Sequence, residues 1–259
     1  MTDHRLGGLV TEVSGDGPAV VMVHGLGGSS NSFQPIVGVL EGYRIVRIDL
    51  PGAGRSGMRP GLTGLTGLCS AVRDVMRSLG IHKAHMVGHS MGTLICQYLA
   101  VSNPEMVASL TLYGPILEPP LPARDALRQR AEAARRDGMA GIADAVSTAS
   151  LSAETRERNT PAVAFVRESL MRQDPKGYAL HCEALATCEP ADHAAIQVPT
   201  ALIAGRQDVV APVAMVERLG DAIAGARVEI MPACGHWMMI EWPVIAGRLL
   251  KHYINRFSL

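Results

Sequence analysis

Long apolar runs, paired cysteines, aromatic side chains and an excess of charge of either sign are all scarce or missing in this chain of 259 residues. No run approaches the roughly 18 consecutive apolar residues that a membrane-spanning helix needs, so no membrane association is expected. The N-terminal residues Met1-Thr2-Asp3-His4-Arg5 lack the apolar core of a secretory signal. The five cysteines, Cys69, Cys96, Cys182, Cys188 and Cys234, are odd in number and form no Cys-x-x-Cys pair. That spacing argues against a zinc site and a disulfide framework, and fits free thiols in a reducing cytoplasm. Lysine plus arginine number 24 and aspartate plus glutamate 24, so no net field gathers nucleic acid or an anionic surface. Aromatics are only 4% of the chain, too few for a cage around a large planar or quaternary ligand.

What is present is length, apolar content and alternation. Hydrophobic residues are 47% of the chain, enough for one large α/β domain with a substantial core and no need of a metal or disulfide staple. Val20 to Val23, Arg44 to Ile48, Ala84 to Val87 and Val107 to Leu112 are short apolar runs closed by turn signals, the pattern of buried parallel strands. Thr66 to Leu79 and Met91 to Ser102 carry helical stripes, stopped by Gly80 and by Asn103-Pro104. The alternation resumes with strands at Ala201 to Ala204 and Arg227 to Ile230 and helices at Val213 to Leu219 and Val244 to Tyr253. Between them, residues 119–189 show helical segments such as Ala123 to Arg136 and Ala162 to Arg172, and no strand pattern. The expected organisation is an α/β core from 1–118 and 190–259 with a helical cap at 119–189 over the sheet edge. The cap's ten basic and ten acidic residues balance.

Gly88-His89-Ser90-Met91-Gly92 follows the strand at Ala84 to Val87 and opens a helix, the context that the G-x-S-x-G signature requires. A serine at a tight, strained turn presents its hydroxyl above the sheet edge, and glycines two residues away on either side avoid collision with neighbouring backbone. The helix N-terminus beneath it favours developing negative charge.

With these residues the chain resembles the α/β-hydrolase superfamily along nearly all of its length. His24-Gly25-Leu26-Gly27-Gly28 is similar to that fold's oxyanion loop, and Asp49-Leu50-Pro51-Gly52-Ala53-Gly54-Arg55-Ser56 to its D-x-P-G-x-G-x-S loop. Asp208 in Ala204-Gly205-Arg206-Gln207-Asp208 and His236 in Gly235-His236-Trp237 complete the order Ser, Asp, His that the fold uses. Within the superfamily the chain most resembles the 3-oxoadipate enol-lactonase-like group of small helix-capped hydrolases, whose cues are shared with esterases, carbon–carbon hydrolases and cofactor-free haloperoxidases. One departure is expected. The region before Val20 leaves room for one strand, near Leu9 to Val13, where many relatives open with a hairpin.

The resemblance implies Ser90 as nucleophile, His236 as base and Asp208 as the acid that orients it. The other histidines sit in strands, helices or loop motifs, where His24 and His89 are expected to pack and hydrogen-bond. The resemblance also implies an oxyanion hole from the backbone N–H groups of Leu26 and Met91. Gly27 and Gly28 let backbone approach the substrate. Arg55 either meets a substrate carboxylate or is a solvated arginine. The implied reaction is hydrolysis of a small ester or lactone through an acyl-enzyme, without metal or cofactor. Carbon–carbon bond hydrolysis of a dienoate or diketone, acyl transfer, and ligand reception with little turnover are the alternatives. The partner is a small molecule, and a homo-oligomer is compatible with the sequence. The cap is expected to govern which acyl compounds enter, since every implied catalytic element lies outside it.

Overall fold

Buried on both faces and rich in valine, isoleucine and alanine, the inner strands pair in parallel, and the chain must therefore cross the sheet through helices. The computed structural model describes residues 2–61 and 64–258. Its strands are β1 (Thr2–Leu6), β2 (Leu9–Ser14), β3 (Ala19–Val23), β4 (Arg44–Ile48), β5 (Ala84–His89), β6 (Val107–Tyr113), β7 (Thr200–Gly205) and β8 (Arg227–Met231). They form one sheet of eight in the order β1-β2-β4-β3-β5-β6-β7-β8, parallel except where β1 meets β2 and β2 meets β4. The helices, in chain order, are α1 (Gly64–Ser78), α2 (Met91–Ser102), α3 (Leu121–Asp137), α4 (Ala140–Ala149), α5 (Ala153–Arg158), α6 (Thr160–Met171), α7 (Pro175–Thr187), α8 (Val213–Ala222), α9 (Met238–Glu241) and α10 (Pro243–Phe257). A 3₁₀ segment, Ser30–Val39, follows β3.

The N-terminal expectation is corrected. The chain does open with a hairpin, because Gly7 (φ +56°) and Gly8 (φ +85°) make a two-residue turn that registers Leu6 against Leu9. Mostly exposed and polar, β1 carries no apolar alternation to reveal it in the sequence.

One core layer packs α1, α2 and α8 against the sheet, with Leu68, Val72 and Met76 of α1 and Leu94 and Ile95 of α2 buried. A second layer joins the 3₁₀ segment and α10 to the opposite face through Phe33, Ile36, Leu250 and Ile254. A third apolar cluster is built by the helices between β6 and β7 themselves: Ala131, Ala134, Ala143, Val166, Leu170 and Cys182 pack together with Trp237 and Ile240. The strand order reverses around β3, so the loops leaving β3 and β5 part and open a crevice at the carboxyl edge of the sheet. Among the described residues, no helix is long and apolar enough to cross a membrane, and the five cysteines are free and buried.

Candidate active site

Ser90 stands at the end of β5 with φ 51° and ψ −119°, the one non-glycine residue at positive φ among those described. The turn is closed by its neighbours. The Ser90 N–H donates to the Tyr113 carbonyl at 3.0 Å, and its own carbonyl accepts from the Thr93 N–H at 2.8 Å and the Thr93 hydroxyl at 2.5 Å. The glycines either side are required by contact. A Cβ on Gly88 would stand 2.8 Å from Thr93 Cα, and one on Gly92 would stand 2.0 Å from the Val23 carbonyl oxygen. Met91 is the first residue of α2, so its N–H has no intrahelical partner.

His236 and Asp208 meet at 2.7 Å between Nδ1 and Oδ2, both buried. The second Asp208 oxygen accepts the N–H groups of Val210 (2.8 Å) and Ala211 (2.9 Å). Burial pushes the Asp208 carboxyl upward, but the His236 imidazole and those two amides outweigh it and hold the group below its ordinary range. Oδ2 takes the Nδ1 side of the ring, and Nε2 is the ring nitrogen outside that bond. Ser90 is close to this pair through one shared neighbour: its N–H bonds Tyr113, and a Cβ on the next residue, Gly114 (φ +53°), would stand 3.0 Å from His236 Nδ1 and 3.2 Å from Asp208 Oδ2. Gly114 was not marked by the sequence reading; a glycine just past an apolar strand end is its signal.

Leu26 lies in a turn closed by the Gly28 N–H on the Gly25 carbonyl, with Gly27 at φ +76°. A Cβ on Gly25 would stand 2.7 Å from Ser90 Cβ, so this loop touches the nucleophile's turn directly. Among the described residues, no protein group accepts the Leu26 N–H. A Cβ on Gly27 would meet Leu170 of α6 at 2.3 Å, and the Gly27 carbonyl accepts from Ser169 and Gln173, so Gly27 seats the helical insertion.

Two buried histidines hold loops. His24 Nε2 accepts the Leu50 N–H at 3.0 Å and its Nδ1 donates to the Gly25 carbonyl at 2.8 Å, joining the β3 and β4 loops. His89 Nε2 donates to the His236 carbonyl at 2.8 Å, and burial pushes its pKa down to about 3, so it stays neutral.

Arg55 is exposed and ion-paired. Its guanidinium bonds Asp49 (2.9 Å), Glu12 (2.7 Å) and Asp3 (3.1 Å), and it does not line the cavity that contains Ser90. The Asp49–Ser56 loop is thus an ion-paired brace for the sheet, with Asp49 also accepting the Ser30 N–H at 2.7 Å.

Glu241, like Gly114, is not marked by the sequence motifs. Buried five residues past His236, its carboxylate accepts the N–H groups of Gly235 (3.1 Å) and Trp237 (3.1 Å), which flank His236, and also the Ser152 N–H (2.8 Å) and Thr155 hydroxyl (2.9 Å) from the insertion. The His236 N–H donates to the Ser150 carbonyl at 2.8 Å. A lone carboxylate inside Trp-Met-Met-Ile-Glu-Trp is the signal that was there to read.

The cavity over Ser90 measures about 660 Å³ and is walled by Leu26 and Ile116 of the core and by α3 and α4 of the insertion. This strained serine, with a buried carboxylate–imidazole pair and two free amides at the edge of a mostly parallel sheet, defines a hydrolase of the α/β class, and the model of the α/β-hydrolase fold family matches residues 18–243. The chain belongs to that family. It is 31% identical to 3-oxoadipate enol-lactonase 1 of Acinetobacter baylyi over 87% of this chain and 84% of that protein. It is also 27% identical to a 2-hydroxy-6-oxononadienedioate/2-hydroxy-6-oxononatrienedioate hydrolase of Pseudomonas sp., over 95% and 91% of the two chains. Among solved structures, the enol-lactonase of Burkholderia xenovorans superposes with a TM-score of 0.91 at 27% identity, covering 98% of this chain and all of that one.

Proposed function

We propose that this hydrolase cleaves a carboxylic ester or lactone through an acyl-enzyme on Ser90. The observation that carries the reading is the serine held at φ 51° beside a buried Asp208–His236 pair bonded at 2.7 Å. His236 Nε2 takes the hydroxyl proton as Ser90 Oγ attacks the acyl carbon, and Asp208 stabilises the imidazolium. The N–H groups of Leu26 and Met91 hold the oxyanion; removing one such donor costs on the order of 3 kcal/mol in barrier height. His236 then passes its proton to the leaving oxygen. Water, deprotonated by the same imidazole, releases the acid and restores Ser90. The 31% identity to an enol-lactonase supports the ester or lactone bond. Relatives named for dienoate substrates, at 27%, support a second reading in which the same groups hydrolyse a carbon–carbon bond beside a ketone.

Labelling with a fluorophosphonate, followed by turnover of a panel of esters, lactones and vinylogous diketones, decides between them. Stoichiometric modification of Ser90 with ester or lactone turnover is the expected result. Turnover of diketones alone would favour the second reading, and labelling with no turnover of any compound would favour a ligand-binding protein.

A further inference from the structure

The cavity above Ser90 is walled almost wholly by alanine, glycine, proline and branched aliphatic side chains. Its largest single wall is α3, which presents Ala123, Ala126, Leu127, Arg130 and Ala133 at helical spacing along one face. The small side chains explain both the width of the cavity and why α3 carries so few large apolar residues. Two charged groups line this space. Asp137 is largely exposed and pairs with Arg136. Arg130 is different: it is partly buried and, among the described residues, makes no ion pair. Five other arginines of the same insertion, Arg124, Arg128, Arg135, Arg136 and Arg167, each face a carboxylate. Arg130 instead lies near buried Tyr178 on α7, a neutral neighbour that leaves its charge unanswered.

We propose that Arg130 is a substrate anchor, and that the cavity takes an ester or lactone with an apolar acyl group bearing one carboxylate. The inference rests on the hydrolase reading and narrows it. A single cation in an apolar enclosure costs free energy until an anion pairs with it, and a guanidinium meets a carboxylate with two parallel hydrogen bonds. One cation answers one negative charge; a doubly charged phosphate would need a second, and the lining has none. Neutral acyl groups gain the same apolar contacts but leave Arg130 unpaired.

The test compares matched substrates that differ only at the distal end: the mono-4-nitrophenyl ester of suberic acid and 4-nitrophenyl octanoate. For the unaltered chain, kcat/KM for the half-ester should exceed that for the octanoate by about 10- to 100-fold, the usual worth of a charge-assisted hydrogen bond. Arg130→Gln retains a polar head without charge, and Arg130→Met retains length without charge. Both should abolish the preference while holding octanoate turnover within about threefold, and both should melt near the parent. Equal preference in the unaltered chain, or parallel loss of both substrates in the variants, overturns the proposal. Calorimetry keeps it testable even if no ester is cleaved: Ser90→Ala should bind monomethyl suberate at least about tenfold more tightly than Ser90→Ala with Arg130→Gln. Equal affinity there sinks the anchor, whereas a difference without turnover sinks only the hydrolase reading.

Discussion

A serine at φ 51° costs roughly 1–3 kcal/mol and persists only where its surroundings leave it no alternative. Here the Tyr113 carbonyl takes its N–H, Thr93 bonds its carbonyl twice, and Gly88 and Gly92 leave no room for a relaxed turn. The strain fixes the serine at the strand end, next to the cavity that it lines. Under the proposed mechanism, Ser90→Ala and His236→Ala should each lower kcat/KM by on the order of 10⁵-fold or more, and the double variant should be little worse than either, because the groups act as one unit. Independent, multiplying losses in the steady-state kinetics of the three variants would mean that the two side chains do not cooperate. The serine was legible in the sequence because its glycines are forced by sub-3 Å backbone approaches, which leave a fixed spacing. Asp208 and His236 were legible by their places after strand ends. The ion pairs of Arg55 were not, since two of its partners, Asp3 and Glu12, come from a hairpin more than forty residues away in sequence whose first strand carries no apolar pattern. Nor was Glu241, whose partners are backbone amides and so have no residue type to recognise.

At the scale of elements, the helices between β6 and β7 are tied to the loop of His236 as well as laid over it. Glu241 links both sides, Trp237 packs into the insertion's own core, and the Trp237 indole N–H donates to the Ser150 hydroxyl at 3.0 Å. Replacing residues 119–189 by a linker would therefore strip four hydrogen bonds from the His236 loop, two accepted by Ser150 and two donated to Glu241, along with the cavity wall, a dependence that the positions of the motifs alone do not suggest. The sharper probe is Glu241→Gln, which sets an amide N–H₂ among groups that are themselves donors. It should lower kcat by about 10- to 100-fold with little change in KM and cost on the order of 3 kcal/mol of stability, since buried donors lose their acceptor. Glu241→Asp should recover part of both. Unchanged kcat with a lowered melting temperature would show the carboxylate to be a brace of the fold alone.

Across the whole molecule, buried neutral histidines set the acid limit. His89 is pushed down to about 3, and His181, which donates to the Pro51 carbonyl at 2.8 Å, to about 4, in each case chiefly by burial. Their folded values lie below the 6.5 of an unfolded chain, so below pH 6.5 the unfolded state binds protons that the folded state refuses. Stability should thus be full above about pH 6.5 and fall steadily toward pH 4, with His181 contributing roughly 3 kcal/mol of that loss. His181→Gln, which keeps a donor for Pro51, should flatten the limb in melting curves taken from pH 7 to pH 4; an unaltered slope would remove His181 from the account. The order of strands in the sheet carries a consequence in time. Ser90, Asp208 and His236 leave three different strands, β5, β7 and β8, and the three crossovers between β5 and β8 include the entire helical insertion. Closing such distant parallel pairings is slow compared with helix formation. A refolding chain therefore acquires its helices first and its reactive serine last, and the appearance of fluorophosphonate labelling clocks the completion of the native state.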